Sequence, residues 1–222
     1  MSVINILSTD RVTISGLPGT GKTTLAKYLG MVAEPNLLIY DPLDQYTQFG
    51  ANVRYIPRTD SLDEFEAVCK SICSRGNLVF LVEEAEKYMR QGQVLGPYAT
   101  DVMNRGRNWG VGVIAVTRRI QMLNKNYFDL CKHVFFYKCG MRSYKYIEEM
   151  TSQQTVQRIR TLQPFHFLHK DLETEEETVG YLELKRKTKT DDVDLSHAGI
   201  ALDKAQVRAQ AKTPDKTKDK VI

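Results

Sequence analysis

The chain has no stretch of about 18 consecutive apolar residues, so no segment of it reads as a membrane-spanning helix. Its opening residues, MSVINILSTDRV, have neither a basic start nor a long apolar core, and so do not read as a secretory signal. Cysteine is scarce. Cys69, Cys73, Cys131 and Cys139 are the only four, they form no CxxC pair, and no histidine stands beside them at ligand spacing. This excludes a disulfide framework, provides no zinc-ligand set, and reads as reduced, mostly buried thiols. Together these features point to the cytoplasm. Charge of one sign is not in large excess either. The 31 Lys and Arg against 27 Asp and Glu leave +4, a value that permits an anionic partner without requiring one. No internal repeat is present, which excludes a solenoid.

What remains is ordinary for a globular protein of one domain or slightly more: 222 residues, 42% hydrophobic and 26% charged. The cations are unevenly placed. Between Met103 and Lys145 lie Arg105, Arg107, Arg118, Arg119, Lys125, Lys132, Lys138, Arg142 and Lys145, with Asp129 as the only acid. Such a stretch is either a solvated face with oligomer contacts or a source of phosphate contacts and an arginine finger.

Strand and helix signals alternate along the chain. RVTIS (11–15), NLLIYD (36–41) and a short NVRYIP (52–57) are β-branched or apolar runs, the second stopped by Asp41-Pro42. LVFLV (78–82), VGVIAVT (111–117) and HVFFY (133–137) are continuous apolar runs of the kind that suits strands buried on both faces. TTLAKYLGMVA carries Leu25, Tyr28 and Leu29 on one helical face. Residues 61–74 place Leu62, Phe65, Val68 or Cys69, and Ile72 at helical spacing behind a Ser61 or Asp60 cap. Residues 141–162 read as helix broken near Met150–Thr151. FHFLH (165–169) and VGYLELK (179–185), joined by the acidic DLETEEET, read as an antiparallel hairpin at a sheet edge. This pattern predicts an α/β domain over 1–187, a mostly parallel sheet flanked by helices with a C-terminal antiparallel hairpin. A flexible charged tail over 188–222 follows from its low apolar content.

Two motifs carry chemistry. GLPGTGKT (16–23) matches G-x-x-x-x-G-K-[ST] and stands between a strand and a helix, which is the context a phosphate loop requires. Gly16, Pro18, Gly19, Thr20 and Gly21 form a turn whose backbone amides can curl around a β-phosphate. Lys22 bridges β- and γ-phosphates, Thr23 ligates Mg²⁺, and Thr24 stands near the α-phosphate. ATP and Mg²⁺ are the implied ligands. At the end of the LVFLV run, Glu83 takes the place of the second magnesium partner. Glu84 stands where a base polarises the attacking water, with Glu86 continuing the acidic run. Two acids in series favour a motor or switch ATPase, which activates water, over a kinase, which transfers phosphate to a bound acceptor.

Around these motifs the chain resembles the FtsK–HerA superfamily of DNA-translocating P-loop ATPases. The resemblance covers about residues 10–185. It rests on Asp41-Pro42 with Tyr46 close behind, like the family's D-P-x-x-x-Y turn, on the double-acid strand, and on the Arg105–Arg119 segment RGRNWGVGVIAVTRR. That segment resembles the family's GR-x-x-G, hydrophobic strand and T/S-Q-R-P. About ten residues precede the first strand, leaving no room for the extra N-terminal barrel or membrane region of cellular members. By that length the chain looks most like the genome-packaging ATPases of membrane-containing icosahedral viruses.

The resemblance implies an ATP-driven double-stranded DNA translocase working in a host cytoplasm and associated with the virion. Its subunits would form a homo-oligomeric ring, expected to be a hexamer, gripping DNA without regard to sequence and docking on capsid or membrane vertex proteins. Arg107 matches the Arg before the family's Gly and, like Arg105, is a candidate arginine finger for a neighbouring subunit. Arg118 replaces the family's Gln, and Ile120 its Pro. Arg118 therefore either contacts the γ-phosphate in place of that Gln or reaches a neighbour's site. The loop QGQVLGP (91–97) is a candidate for the DNA channel. A Zot-like phage assembly ATPase, a small-molecule kinase with an Arg-rich lid, and a non-hydrolysing nucleotide switch are the alternatives. Glu84 argues against the last.

Overall fold

The computed structural model describes residues 4–183 and 198–202. The expected strands form where the apolar runs place them: β1 (Arg11–Ser15), β2 (Leu37–Tyr40), β3 (Arg54–Tyr55), β4 (Leu78–Val82), β5 (Val111–Thr117) and β6 (His133–Phe136). The hairpin follows as β7 (His166–Asp171) and β8 (Glu177–Glu183). One strand was not expected. β9 (Gly199–Leu202) pairs antiparallel with β8, so the hairpin lies inside the sheet and β9 forms its edge. GIAL is a short apolar run in the polar stretch assigned to the tail, and Ile200 packs against the core. Most of the remainder of 188–222 lies outside the described residues.

The sheet runs β3-β2-β4-β5-β1-β6-β7-β8-β9. Its first six strands are parallel and the last three are antiparallel additions. Each central strand alternates between two cores. From β4, Leu78, Phe80 and Val82 enter one cluster while Val79 and Leu81 enter the other, and β5 divides in the same way. A strand covered on both faces has no solvent side, which is why these runs are continuously apolar.

Helix α1 (Lys22–Ala33) covers one face. The opposite face is covered by α2 (Leu62–Arg75), the short α3 (Ala85–Tyr88), α4 (Pro97–Arg105), α5 (Lys125–Asp129), α6 (Met141–Met150) and α7 (Gln153–Arg160). Ser61 caps α2, its hydroxyl accepting the Glu64 amide at 3.2 Å. The break expected near Met150–Thr151 separates α6 from α7, and Ser152 caps the latter.

Two packing features position the site. Tyr88 of α3 is fully buried against Tyr40 and Phe65, with ring centroids 4.8 and 5.3 Å away. This aromatic cluster holds the four-residue α3 at the end of β4, where a helix so short has little stability of its own. On the second face, Asp41 at the end of β2 accepts the amides of Gln45 and Tyr46, both at 2.9 Å. The resulting turn sends Tyr46 back under the sheet, where it is fully buried. None of the described helices is long and apolar enough to cross a membrane. Cys69, Cys131 and Cys139 are buried free thiols and Cys73 is partly buried.

Candidate nucleotide site

The glycine loop leaves the C-terminal end of β1 and is fastened to both neighbouring strands. Gly16 N–H donates to the Thr117 carbonyl at 3.4 Å, and Leu17 N–H to the Lys138 carbonyl at 2.8 Å. A Cβ on Gly16 would sit 2.6 Å from Tyr137 Cβ, so only glycine fits against β6. At Gly19 and Gly21 the requirement is conformational, since φ is +74° and +105°. A Cβ on Gly19 would meet nothing within 4 Å, so the space above the loop is open. α1 begins at Lys22 with no side-chain cap, and its first amides have no helical acceptor. Thr20 Oγ1 donates to the Leu17 carbonyl at 2.8 Å and tightens the loop. Pro18 lies exposed at the tip, while Thr23 and Thr24 are half-buried in the first turn of α1. Lys22 is buried, and its Nζ donates to the Leu17 carbonyl at 2.9 Å. Burial pushes its pKa down, partly opposed by Glu83. That one carbonyl leaves a buried ammonium group with donors to spare for an anion.

Glu83 ends β4 and is 5% exposed. Tyr46 Oη donates to its Oε2 at 2.5 Å. Burial raises the Glu83 pKa, while the Tyr46 hydrogen bond and the Lys22 charge act against it. The next residue turns sharply. Glu84 has φ 52° and ψ 41°, left-handed backbone that a glutamate rarely adopts. The parallel register pairs Val82 with Ala115, so the residue two beyond Val82 lies beside the end of β5. There Arg118 Nη2 approaches Glu84 Oε1 to 2.7 Å. The Arg118 backbone N–H donates to Glu86 Oε1 at 3.1 Å, and Glu86 Oε2 is buried with no partner among the described residues.

These residues fit a nucleotide phosphate and a divalent cation. The open glycine turn and the under-used Lys22 ammonium suit the phosphates. Buried Glu83 and the orphaned Glu86 oxygen suit a hydrated cation. Among the described residues no group of three or more His, Cys, Asp or Glu is placed to hold a metal by itself. A Mg²⁺ held by Thr23 and Glu83 would therefore complete its shell with phosphate and water, as that ion commonly does.

The structure thus gathers Gly16 to Thr24, Glu83, Glu84 and Arg118 around one space. It places Arg118 against the candidate base of the same chain. It does not bring in Arg107. That residue precedes β5, at the strand's opposite end, about 20 Å of seven-residue strand away from Arg118. Arg105, also at that far end, is exposed and lies 3.7 Å from Asp101. Both lie away from the glycine loop of this chain. Two residues gained roles that sequence reasoning had not assigned. Tyr46 stood only as part of a turn motif, and Glu86 only as the continuation of an acidic run. The available signal for Glu86 was its place two residues beyond the double acid, on a helix too short to need it.

No protein-family model and no curated protein matches the chain. Solved structures do. The genome packaging NTPase B204 from Sulfolobus turreted icosahedral virus 2, in complex with AMPPCP, superposes with a TM-score of 0.69 at 20% identity, over 78% of this chain and 98% of that one. Its complex with ATP-gammaS gives 0.68 at 21% identity, over 77% and 96%. B204 described as the DNA-packaging ATPase from Sulfolobus Turreted Icosahedral Virus gives 0.67 at 20% identity, over 78% and 98%. At these identities the likeness is one of fold, and the chain has the P-loop NTPase fold of the viral genome-packaging NTPases.

Proposed function

We propose that this protein is an ATP-driven double-stranded DNA translocase that packages a viral genome into a preformed capsid. The observation that carries its hydrolytic part is the convergence of the glycine loop, Glu83 and Glu84 on one open space. Support for the packaging part comes from the fold shared with B204 over nearly that protein's whole length. In this reading Gly16, Pro18, Gly19, Thr20, Gly21 and Thr24 shape the phosphate cradle, and Lys22 offsets charge between the β- and γ-phosphates. Mg²⁺, when bound to Thr23 and Glu83, supplies charge neutralisation at the phosphate oxygens. Tyr46 holds the Glu83 carboxylate in one orientation.

Glu84 accepts the proton of the attacking water as the γ-phosphoryl group passes from ATP to that water and ADP departs. To do so it must leave Arg118, so the ion pair describes a resting site. Arg107, remote from its own site, is assigned to the neighbouring subunit of a homo-oligomeric ring, with a hexamer as the proposed size. The ring works in the host cytoplasm and at the virion vertex, against capsid or membrane proteins there. It holds DNA by its phosphates without reading bases.

The test is ATP hydrolysis with and without double-stranded DNA, together with particle mass in the presence of an ATP analogue. Stimulation of several-fold and a ring mass are expected. Hydrolysis indifferent to DNA, with the protein monomeric throughout, would sink the proposal.

A further inference from the structure

Beside the nucleotide site, two separate segments join into one lip. Asn124 N–H donates to the Met89 carbonyl and Gln91 N–H to the Met122 carbonyl, both at 2.8 Å. Arg90 and Leu123 form an antiparallel bridge, and Lys125 N–H donates to Gln91 Oε1 at 2.8 Å. Residues 87–98 and 118–128 are thereby one surface, although some 30 positions separate them in the chain. The two segments themselves carry Lys87, Arg90, Arg118, Arg119 and Lys125 and no acidic residue. The carboxylates that touch them, Asp60, Glu66, Glu84 and Glu86, reach in from other parts of the chain and meet Lys87, Tyr98 and Arg118.

Two of these cations are engaged, Lys87 with Asp60 and Arg118 with Glu84. Arg90, Arg119 and Lys125 are exposed, and none of the ion pairs or side-chain hydrogen bonds among the described residues includes their side chains. Between them the loop turns at Gly92, with φ +75° and nothing within 4 Å of where a Cβ would be. A backbone so open lets another polymer approach closely.

We infer that this lip is the surface that grips the nucleic acid, with Arg90, Arg119 and Lys125 each neutralising a backbone phosphate. The inference rests on the translocase reading above and names the residues that carry it. Cations spread along a loop pair, interleaved with amide side chains (Gln91, Gln93, Asn124), suit a line of phosphates. A membrane surface would call for an apolar face beneath the cations, and the lip offers one strongly exposed apolar residue, Val94 at 92%. The location adds a consequence. Arg119 follows directly on Arg118, whose side chain holds Glu84 and whose amide holds Glu86. A pull on the lip is one residue from the candidate base.

The experiment is binding of double-stranded DNA as a function of salt, with a non-hydrolysable ATP analogue present. The proteins compared are the wild-type protein, a lip variant (Arg90→Gln, Arg119→Gln, Lys125→Gln), and a control with exposed cations removed elsewhere (Arg58→Gln, Arg75→Gln). Losing three phosphate contacts flattens the slope of log K against log salt by about 2.7, and each single substitution by about 0.9. The control should keep the wild-type slope. Thermal melting of each variant establishes that it is folded. A lip variant with the wild-type slope overturns the inference and leaves DNA binding itself standing. If the wild-type protein binds no DNA even at low salt, the translocase reading falls first. Loss of binding to phosphatidylserine vesicles in the lip variant would then identify the lip as a membrane surface.

Discussion

Replacing Arg118 with Gln should make the resting enzyme faster. Arg118 Nη2 and Glu84 Oε1 are 2.7 Å apart, which occupies one carboxylate oxygen and keeps it from an attacking water. A pair near a protein surface is worth ~4 kcal/mol of bare Coulomb energy at 4 Å. The Arg118 side chain is 47% exposed and that of Glu84 20%, so solvent screening and side-chain entropy reduce the net value to about 1 kcal/mol. That is a bias of about fivefold toward the paired state. Arg118→Gln keeps a polar side chain and removes the charge. DNA-free ATP hydrolysis, followed as ADP release at saturating ATP, should rise about fivefold at low salt. Added salt should raise the wild-type rate toward that of the variant, because it screens the same pair. In parallel, Glu84→Gln should lower hydrolysis by roughly 10²–10⁴-fold while nucleotide still binds. If Arg118→Gln instead loses activity tenfold or more, Arg118 serves the reacting phosphate and the resting-pair argument is wrong. A variant rate equal to wild type at every salt concentration would also refute it.

Tyr46→Phe removes the donor to buried Glu83 Oε2, which should cost about 1–3 kcal/mol in urea unfolding and weaken Mg²⁺-dependent nucleotide binding; unchanged stability would mean that the hydrogen bond is not formed. Lys22→Ala removes the buried ammonium facing the phosphates, and calorimetric ATP affinity should fall at least about thirtyfold; retention of wild-type affinity would displace Lys22 from the site. The pH dependence of stability has a defined sign. His169 is buried with its Nε2 3.1 Å from His133 Nδ1, and burial together with His133 lowers its pKa from 6.5 to about 4. Below pH 6.5 the unfolded chain therefore takes up a proton that the folded protein refuses. Stability is complete above that pH and falls by about 3 kcal/mol as pH drops to about 4. Asp171, whose pKa is also depressed, extends the loss at lower pH. Urea unfolding across that range should show the decline in the wild-type protein and a flatter profile in His169→Gln. A wild-type stability constant from pH 7 to 4.5 would contradict it.

Local physics made the phosphate loop and most strands legible in the sequence. GLPGTGKT needs its glycines for reasons contained within a few residues: a backbone that turns left-handed at Gly19 and Gly21, and a helix that must begin at Lys22. The runs in β4 and β5 are apolar throughout because both faces are covered, a requirement each strand records in its own residues. Ser61 announces α2 because a cap acts over three positions. β9 escaped notice since four residues carry too little pattern to stand out beside a charged stretch.

The site was legible only as far as its parts are contiguous. Glu83 and Glu84 could be named from the end of an apolar strand. That Tyr46 holds Glu83 depended on the Asp41 turn closing beneath the sheet. That Arg118 meets Glu84 depended on β5 lying beside β4 in the register Val82 to Ala115, and the same pairing left Arg107 at the wrong end of the strand. Strand order and register are set by how the two cores pack around the whole sheet, an energy shared among residues far apart in the chain. The sequence by itself therefore determined the glycine loop and its place between a strand and a helix, while the tertiary structure decided which charged side chains stand beside it.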